Sequence, residues 1–248
     1  MDDVMVIAQN TASRVLRMKA LYFLLAIVIC IIASGQLYGD ITVGREKEYS
    51  LDLGFAMTMI VGVLCALVVC FDLPRELREK TMVALLSKPL GRDRYLIGKF
   101  LGVCEIALIS MAVVGVGMLV LTAMGGRFRP NLEIIKALIL IYAGVVQLAA
   151  VGILLGTFLK EWLATLLALV IFWGSYALGY VAANTTNMVV QKIIYLLPNF
   201  AIMSGDNVVA NGGVIEWRLV GGGILLAGIY SLVMLIVAGL IFRRKDIA

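Results

Sequence analysis

The sequence predicts an all-α polytopic membrane protein with six membrane-spanning helices. Of its 248 residues, 62% are hydrophobic and only 15% are charged, and the mean hydropathy is +1.02. A soluble domain of this length could not bury so much apolar surface, so lipid must solvate much of the chain. Six stretches approach or exceed the roughly 20 apolar residues with which a helix crosses the hydrocarbon core. They are 20–38, 53–71, 102–124, 134–159, 162–183 and 219–242.

The apolar stretches lack the alternation of apolar and polar residues that is typical of outer-membrane barrel strands. Residues 1–248 are therefore expected to form one helical membrane domain. The first stretch follows basic residues, as the core of a cleaved signal peptide would, but it stays apolar through Leu37 and Tyr38. We interpret it as a retained anchor.

Lysine and arginine predict which side of the membrane each loop faces. Fourteen of the 21 lie before the first span, after the second, after the fourth and at the C-terminus, and the other seven lie at or beyond the opposite ends of the spans. The positive-inside rule therefore predicts that both termini and the segment 72–99 are cytoplasmic. The net charge of +5 needs no nucleic acid to explain it.

Residues 1–19 are predicted to form an amphipathic helix in the inner membrane interface, with a frayed basic tail as the alternative. Its basic residues are expected to lie toward the lipid headgroups: Arg14, Arg17 and Lys19. Its apolar stripe is Val4, Ile7, Ala8, Thr11, Val15 and Leu16.

The stretch "SKPLGRDRYLIGKF" has only a superficial likeness to a phosphate-binding loop. That motif has four residues between its glycines and a Ser or Thr after its Lys. Here six residues separate Gly91 from Gly98, and Phe100 follows Lys99. The chain is therefore not expected to bind nucleotide itself.

Residues 72–99 are predicted to form a short helix on the cytoplasmic membrane surface, with a simple solvated loop as the alternative. Pro74 suits the start of that helix, because a missing N–H costs nothing there. Pro89 and Gly91 would end it, and a second helix would begin near Arg92 and continue into the third span. On the other side, residues 184–218 are predicted to form re-entrant or interfacial helices between spans five and six.

The sequence argues against catalysis and against metal binding by this chain. It contains no histidine, which excludes histidine-based zinc sites and Ser-His-Asp chemistry. Its four cysteines lie inside or at the edges of spans, so a disulfide framework is not indicated. We predict that the chain is not an enzyme and holds no metal.

Three polar residues inside the spans are candidates for a pathway or for helix packing. Glu105 either lines a pathway, pairs across a dimer, pairs with a nearby Lys or reaches the inner interface, since a central charge costs about 2.5–3.5 kcal/mol. Gln36 and Gln147 are expected to form interhelical hydrogen bonds rather than to select a substrate. So few polar groups favour a lipidic or amphipathic substrate.

Several segments together resemble the permease subunits of type-2 ABC transporters, most closely the multi-copper-enzyme-maturation group. They are "IAQNTASRVLRMKALYFLL", "SLDLGFAMTMIVGVLCALVVCFDLPRELREKTMVALLSKPLGRDRYLIGKFLG", "YLLPNFAIM" and the terminal "IFRRKDI". The resemblance implies an exporter permease of the cytoplasmic (inner) membrane that works with a second permease subunit. A separate ATP-binding subunit would hold ATP and Mg²⁺, so this chain needs no cofactor.

The same resemblance assigns roles to individual residues. The helix after the second span would be a coupling helix that docks into a groove of the ATP-binding subunit. Residues at that contact would be Glu76, Glu79, Lys80 and Thr81. Residues that shape the turn back into the membrane would be Ser87, Lys88, Pro89, Arg92, Gly98 and Lys99. Pro198 and Asn199 would belong to the outer helical segment.

Two other functions stay open from the residues themselves. An ATP-independent secondary transporter would carry polar groups at midspan and broken helices in matching halves. A membrane scaffold would recruit cytoplasmic proteins through its basic loop without transporting anything.

Overall fold

The fold consists of α-helices packed side by side. A computed structural model describes residues 2–39, 46–78, 91–124, 132–185, 200, 209 and 213–244. Its long helices are α1 (Asp2–Leu16), α2 (Lys19–Gly39), α3 (Glu46–Arg78), α4 (Arg92–Met124), α5 (Leu132–Phe158), α6 (Glu161–Asn184) and α7 (Trp217–Arg244). None of the described residues forms a strand. The all-helical prediction is therefore confirmed for this part of the chain.

Five helices, α3 to α7, are long and apolar enough to cross a membrane. A sixth candidate is the pair formed by α1 and α2, which meet at a bend of 63°. The bend follows Leu16, where Arg17 and Met18 leave the helical conformation. The five to six membrane-length helices agree with a multi-pass membrane protein.

The structure corrects the prediction made for Pro74. Helix α3 continues through Pro74 to Arg78, so this proline lies inside a helix instead of starting one. Proline in a helix interior costs about 3 kcal/mol, because it removes a hydrogen bond and crowds the preceding turn. Packing offsets that cost here: Leu73 is fully buried, and both Leu73 and Pro74 pack against Gly156 of α5.

Helix α5 is the centre of the bundle. Within its most apolar window 72% of residues are buried, compared with 22% in α6 and in α7. Gly152 and Gly156 form a Gly-x-x-x-Gly face toward α3, and a Cβ on Gly152 would lie 2.5 Å from Cys70 Sγ. Small residues at this spacing let helix backbones approach closely in lipid, where dispersion replaces the hydrophobic effect as the driving force.

The ends of the helices form two charged layers. We call the "α1 end" the end of the bundle where α1, the last turns of α3 and α7, and the first turns of α4 and α6 lie. At the opposite end, Lys136 of α5 donates hydrogen bonds to Glu133 Oε1 at 2.7 Å and to the Ile215 carbonyl at 2.8 Å. The Ile215 N–H in turn donates to Glu133 Oε2 at 2.7 Å. This contact fastens the segment before α7 to the start of α5.

Candidate functional site

Glu76, in the last turn of α3, joins three helices at the α1 end. Its Oε1 accepts a hydrogen bond from Lys99 Nζ of α4 at 2.6 Å and lies 2.6 Å from Arg14 Nη2 of α1. Its other oxygen, Oε2, accepts a hydrogen bond from the Tyr95 hydroxyl. Asp72, one turn earlier on α3, forms a second ion pair with Arg14. We call these five residues the ion cluster.

The ion cluster is partly removed from solvent and balanced in charge. The Lys99 side chain is only 5% exposed, and those of Glu76 and Asp72 are 16% and 15% exposed, whereas Arg14 is 43% exposed. Two cations face two carboxylates, and the Lys99 ammonium also lies 5.9 Å from the centre of the Tyr95 ring. Loss of one partner would leave a charge without compensation in a site that excludes most water.

Two glycines of α4 explain why α1 can reach the cluster. Gly98 and Gly102 form a second Gly-x-x-x-Gly face, and α1 packs directly on it. A Cβ on Gly98 would lie 2.8 Å from Ile7, and one on Gly102 would lie 2.6 Å from the Ala8 carbonyl oxygen. The absence of side chains at these two positions therefore sets the distance between α1 and α4.

Two further ion pairs connect helices at the α1 end. Arg78 of α3 lies 3.1 Å from Glu161 at the start of α6. Arg243 of α7 pairs with Asp93 in the first turn of α4, where its Nε donates to Oδ1 at 3.1 Å. Charged contacts at this end thus hold α1, α3, α4, α6 and α7 together.

The chain as a whole matches a known family of membrane proteins. The family described as ABC-2 family transporter protein matches residues 4–247, nearly the full sequence. The chain belongs to this family. It is an ABC transporter permease, the membrane subunit of a transporter rather than an enzyme. No curated protein matches it.

Within the permease, the structure brings together three of the residues assigned to the coupling region. Glu76 and Lys99 form a direct ion pair, and Gly98 lies against α1 on the same part of α4. Arg92 is the first residue of α4, so the helix expected to begin near it does begin there. The others lie outside the described residues: Glu79, Lys80, Thr81, Ser87, Lys88 and Pro89.

The polar residues predicted inside the spans have different surroundings. Glu105 lies on an exposed face of α4 and forms no ion pair with another described residue. Gln147 is fully buried in α5, and its amide has no hydrogen-bond partner in the described part of the permease. Gln36 lies in α2, and its side chain is outside the described residues.

Pro198 and Asn199, which are predicted to belong to an outer helical segment, also lie outside the described residues. The next residue, Phe200, is buried against α6, with its ring centre 5.4 Å from that of Phe172. Its N–H donates to Ser175 Oγ at 3.3 Å. Residue 200 is therefore docked near the middle of α6.

Sequence reasoning missed three members of the ion cluster: Arg14, Asp72 and Tyr95. Arg14 is predicted to face lipid headgroups, but in the structure it turns toward two carboxylates of α3. One signal was present in the sequence, namely that Asp72 and Glu76, and likewise Tyr95 and Lys99, are four residues apart and share a helix face. The Gly-x-x-x-Gly pair beside Lys99 was a second signal.

Proposed function

We propose that this permease is the membrane half of an ABC exporter, and that a separate ATP-binding subunit docks on its 72–99 segment. Family membership supports an ABC permease, and the ion cluster supports the site of coupling. The single observation that carries the proposal is that Glu76 and Lys99, on either side of residues 79–90, are bonded to each other, and that Glu76 also pairs with Arg14 of α1.

The ion cluster provides a mechanical route from the docking segment into the bundle. A force applied to residues 79–90 acts on the last turn of α3 and the first turns of α4. Because Glu76 contacts Lys99, Tyr95 and Arg14, those turns and α1 would move together. In this proposal the ATP-binding subunits hold ATP and Mg²⁺. The force comes from the closure of two such subunits on each other when they bind ATP. The permease supplies the lever and the pathway.

A second permease subunit, either another copy or a homologue, completes the proposed transporter. Glu105 is the reason to place that subunit against α4. It lies among exposed apolar side chains, such as Ile109 and Val116, and an acidic group in that setting costs about 2.5–3.5 kcal/mol unless something compensates. A neighbouring subunit or a pathway between the two subunits would provide that compensation.

We infer the orientation from the charge distribution, the substrate class from the apolar spans, and outward transport from the resemblance to exporter permeases. We propose that the α1 end and both termini are cytoplasmic, in a cytoplasmic (inner) membrane, because the basic residues concentrate there. Outward movement of a lipidic or amphipathic substrate fits spans with few polar groups. The multi-copper-enzyme-maturation group stays the proposed subgroup.

Co-purification tests the proposal. The permease, extracted in mild detergent from its native cells, is expected to carry an ATP-binding protein with a Walker A sequence, identified by mass spectrometry. The double variant Glu79→Arg, Lys80→Glu should lose that protein, because charges at an interface determine partner choice and association rate. The matched control is Glu216→Arg, Arg218→Glu, which reverses two exposed charges at the opposite end of the bundle. Retention of the ATPase by both variants, or its absence from the unaltered permease, would contradict the proposal.

A further inference from the structure

A long groove runs between α4 and α7, starting at the α1 end. Its volume is about 610 Å³. Nearly all of its lining is apolar, and the polar side chains among the described lining residues are those of Asp93, Ser231 and Arg243. The rim is formed by side chains that face outward from the bundle, among them Leu101, which is 44% exposed, and Leu232, which is 60% exposed. The groove therefore opens sideways, toward the hydrocarbon of the membrane.

The groove is long enough along α7 to hold an acyl chain across one leaflet of a bilayer. On α7 its lining extends from Gly228 to Arg243, which is about 22 Å at 1.5 Å per helical residue. Half of the hydrocarbon core is about 15 Å thick. A chain that lies in the groove can thus cross one leaflet while its polar end stays at the level of Arg243.

Two features keep the groove open along α7. Gly228 and Gly239 have no side chains to fill it, and an added Cβ on Gly228 would meet no atom within 4 Å. Gly239 instead allows the Asp93 carboxylate to approach, since its Cβ would lie 3.2 Å from Oδ1. Gly228 thus leaves its part of the groove unfilled.

Ser231 is the polar residue deepest in the groove, farthest from Arg243 along α7. Its side chain lines the groove and is 4% exposed, yet its hydroxyl has no hydrogen-bond partner among the residues that the structure describes. Ser231 lies 12 residues from Arg243 on α7, which is about 18 Å at 1.5 Å per helical residue, so it would face the acyl chain and not the headgroup.

The ion pair at the mouth indicates which headgroup fits. Arg243 and Asp93 are paired with each other, but their side chains stay 63% and 41% exposed, so both can form further contacts. A guanidinium beside a carboxylate complements a phosphate beside an ammonium group. An anionic headgroup would satisfy Arg243 and be repelled by Asp93.

We propose that the α4–α7 groove binds the acyl chain of a membrane phospholipid whose headgroup carries a phosphate and a primary ammonium group. Phosphatidylethanolamine has this chemistry. The proposal concerns a lipid that stays bound to the lipid-facing surface of one permease subunit. It does not depend on the ATP-binding partner or on the identity of the transported substrate.

Native mass spectrometry in mild detergent tests this binding, with phosphatidylethanolamine and phosphatidylglycerol added in equal amounts. The unaltered permease should retain one phosphatidylethanolamine. Gly228→Leu places a side chain in the groove without a clash, and by excluding about two methylenes of the acyl chain it should lower affinity about tenfold. Gly221→Leu is the matched control, because it makes the same change on the same helix, also in open space but away from the groove.

Asp93→Asn tests the headgroup. It removes the carboxylate that would meet the ammonium group, so the preference should move toward phosphatidylglycerol while one lipid stays bound. Equal lipid retention by Gly228→Leu and Gly221→Leu would overturn the proposal, as would an unaltered permease that retains no phospholipid. If Gly228→Leu reduced the dimer fraction and left lipid retention unchanged, the groove would be a contact with a second permease subunit and the proposal would be wrong.

Discussion

Glu76 and Lys99 are 23 positions apart in the chain, and a 2.6 Å ion pair joins them across the junction of α3 and α4. The segment between these two helices is the one that sequence resemblance assigns to the ATP-binding partner. Its two ends are therefore fixed to each other, and Arg14 adds α1 to the same contact. In the coupling that we propose, a force on this segment would move α1, α3 and α4 together, because the ion cluster joins these helices.

The ion pair should contribute measurably to stability. Lys99→Met leaves two carboxylates facing Arg14 alone, and breaking a buried pair by removing one partner costs about 3 kcal/mol. Thermal unfolding in detergent measures the effect. A double-mutant cycle with Glu76→Gln should give a coupling of about 1–3 kcal/mol, since the two groups are in direct contact. Additive effects of the two substitutions would show that the pair does not act as a unit.

Close approach of α1 to α4 should depend on Gly102. A Cβ there would lie 2.6 Å from the Ala8 carbonyl oxygen, so Gly102→Ala forces the helices apart and should destabilise the protein by about 1–3 kcal/mol. Gly221→Ala is the control, because its Cβ would meet nothing within 4 Å. The control should gain up to about 1 kcal/mol from helix propensity. Equal unfolding temperatures for the two variants would contradict this account of the α1–α4 contact.

The contact at the opposite end should protect a backbone amide. The Ile215 N–H donates to Glu133, so Glu133→Ala should speed hydrogen exchange at Ile215. Losing a hydrogen bond to a charged group destabilises the protected state by about 2 kcal/mol. This free energy corresponds to roughly 30-fold faster exchange of the Ile215 amide. Glu216→Ala, an exposed carboxylate next in sequence, should leave the rate unchanged. A similar rate in both variants would mean that Glu133 does not hold this segment.

The second permease subunit should cover the Glu105 face of α4. Ile109→Cys, placed one turn after Glu105 in a background with Cys30→Ser, should form dimers with a short bis-maleimide linker in membranes. Leu166→Cys, on the exposed face of α6, is the comparison, because the apolar residues there need no cover other than lipid. A dimer that forms through position 166 and not through position 109 would assign the contact to α6.

Hydropathy predicts most of this fold because lipid permits few structures. Every backbone polar group in the hydrocarbon must be paired within the segment, so an apolar run of sufficient length forms a helix. The first predicted span, 20–38, thus lies within α2. Local sequence preferences predict the wrong helix boundary where tertiary packing is stronger. Pro74 by itself suggests a helix start, but contacts with α5 hold it within α3.

The candidate site could be predicted only as separate residues. Glu76 and Lys99 stand out in the sequence as charges beside a span, but their pairing depends on how α3 returns to α4. Arg14 is assigned to headgroups because basic residues beside spans usually lie there. Its partners on α3 become visible only when Gly98 and Gly102 bring α1 against α4.

Site-specific photocrosslinking tests the central claim most directly. A benzophenone amino acid replaces Lys80 in the 72–99 segment or, as the control, Glu216 at the opposite end of the bundle. Native membranes are irradiated, and crosslinked proteins are identified by mass spectrometry. We expect an adduct between position 80 and an ATP-binding subunit, and none from position 216. An ATP-binding subunit crosslinked from position 216, or from neither position, would contradict coupling through this segment.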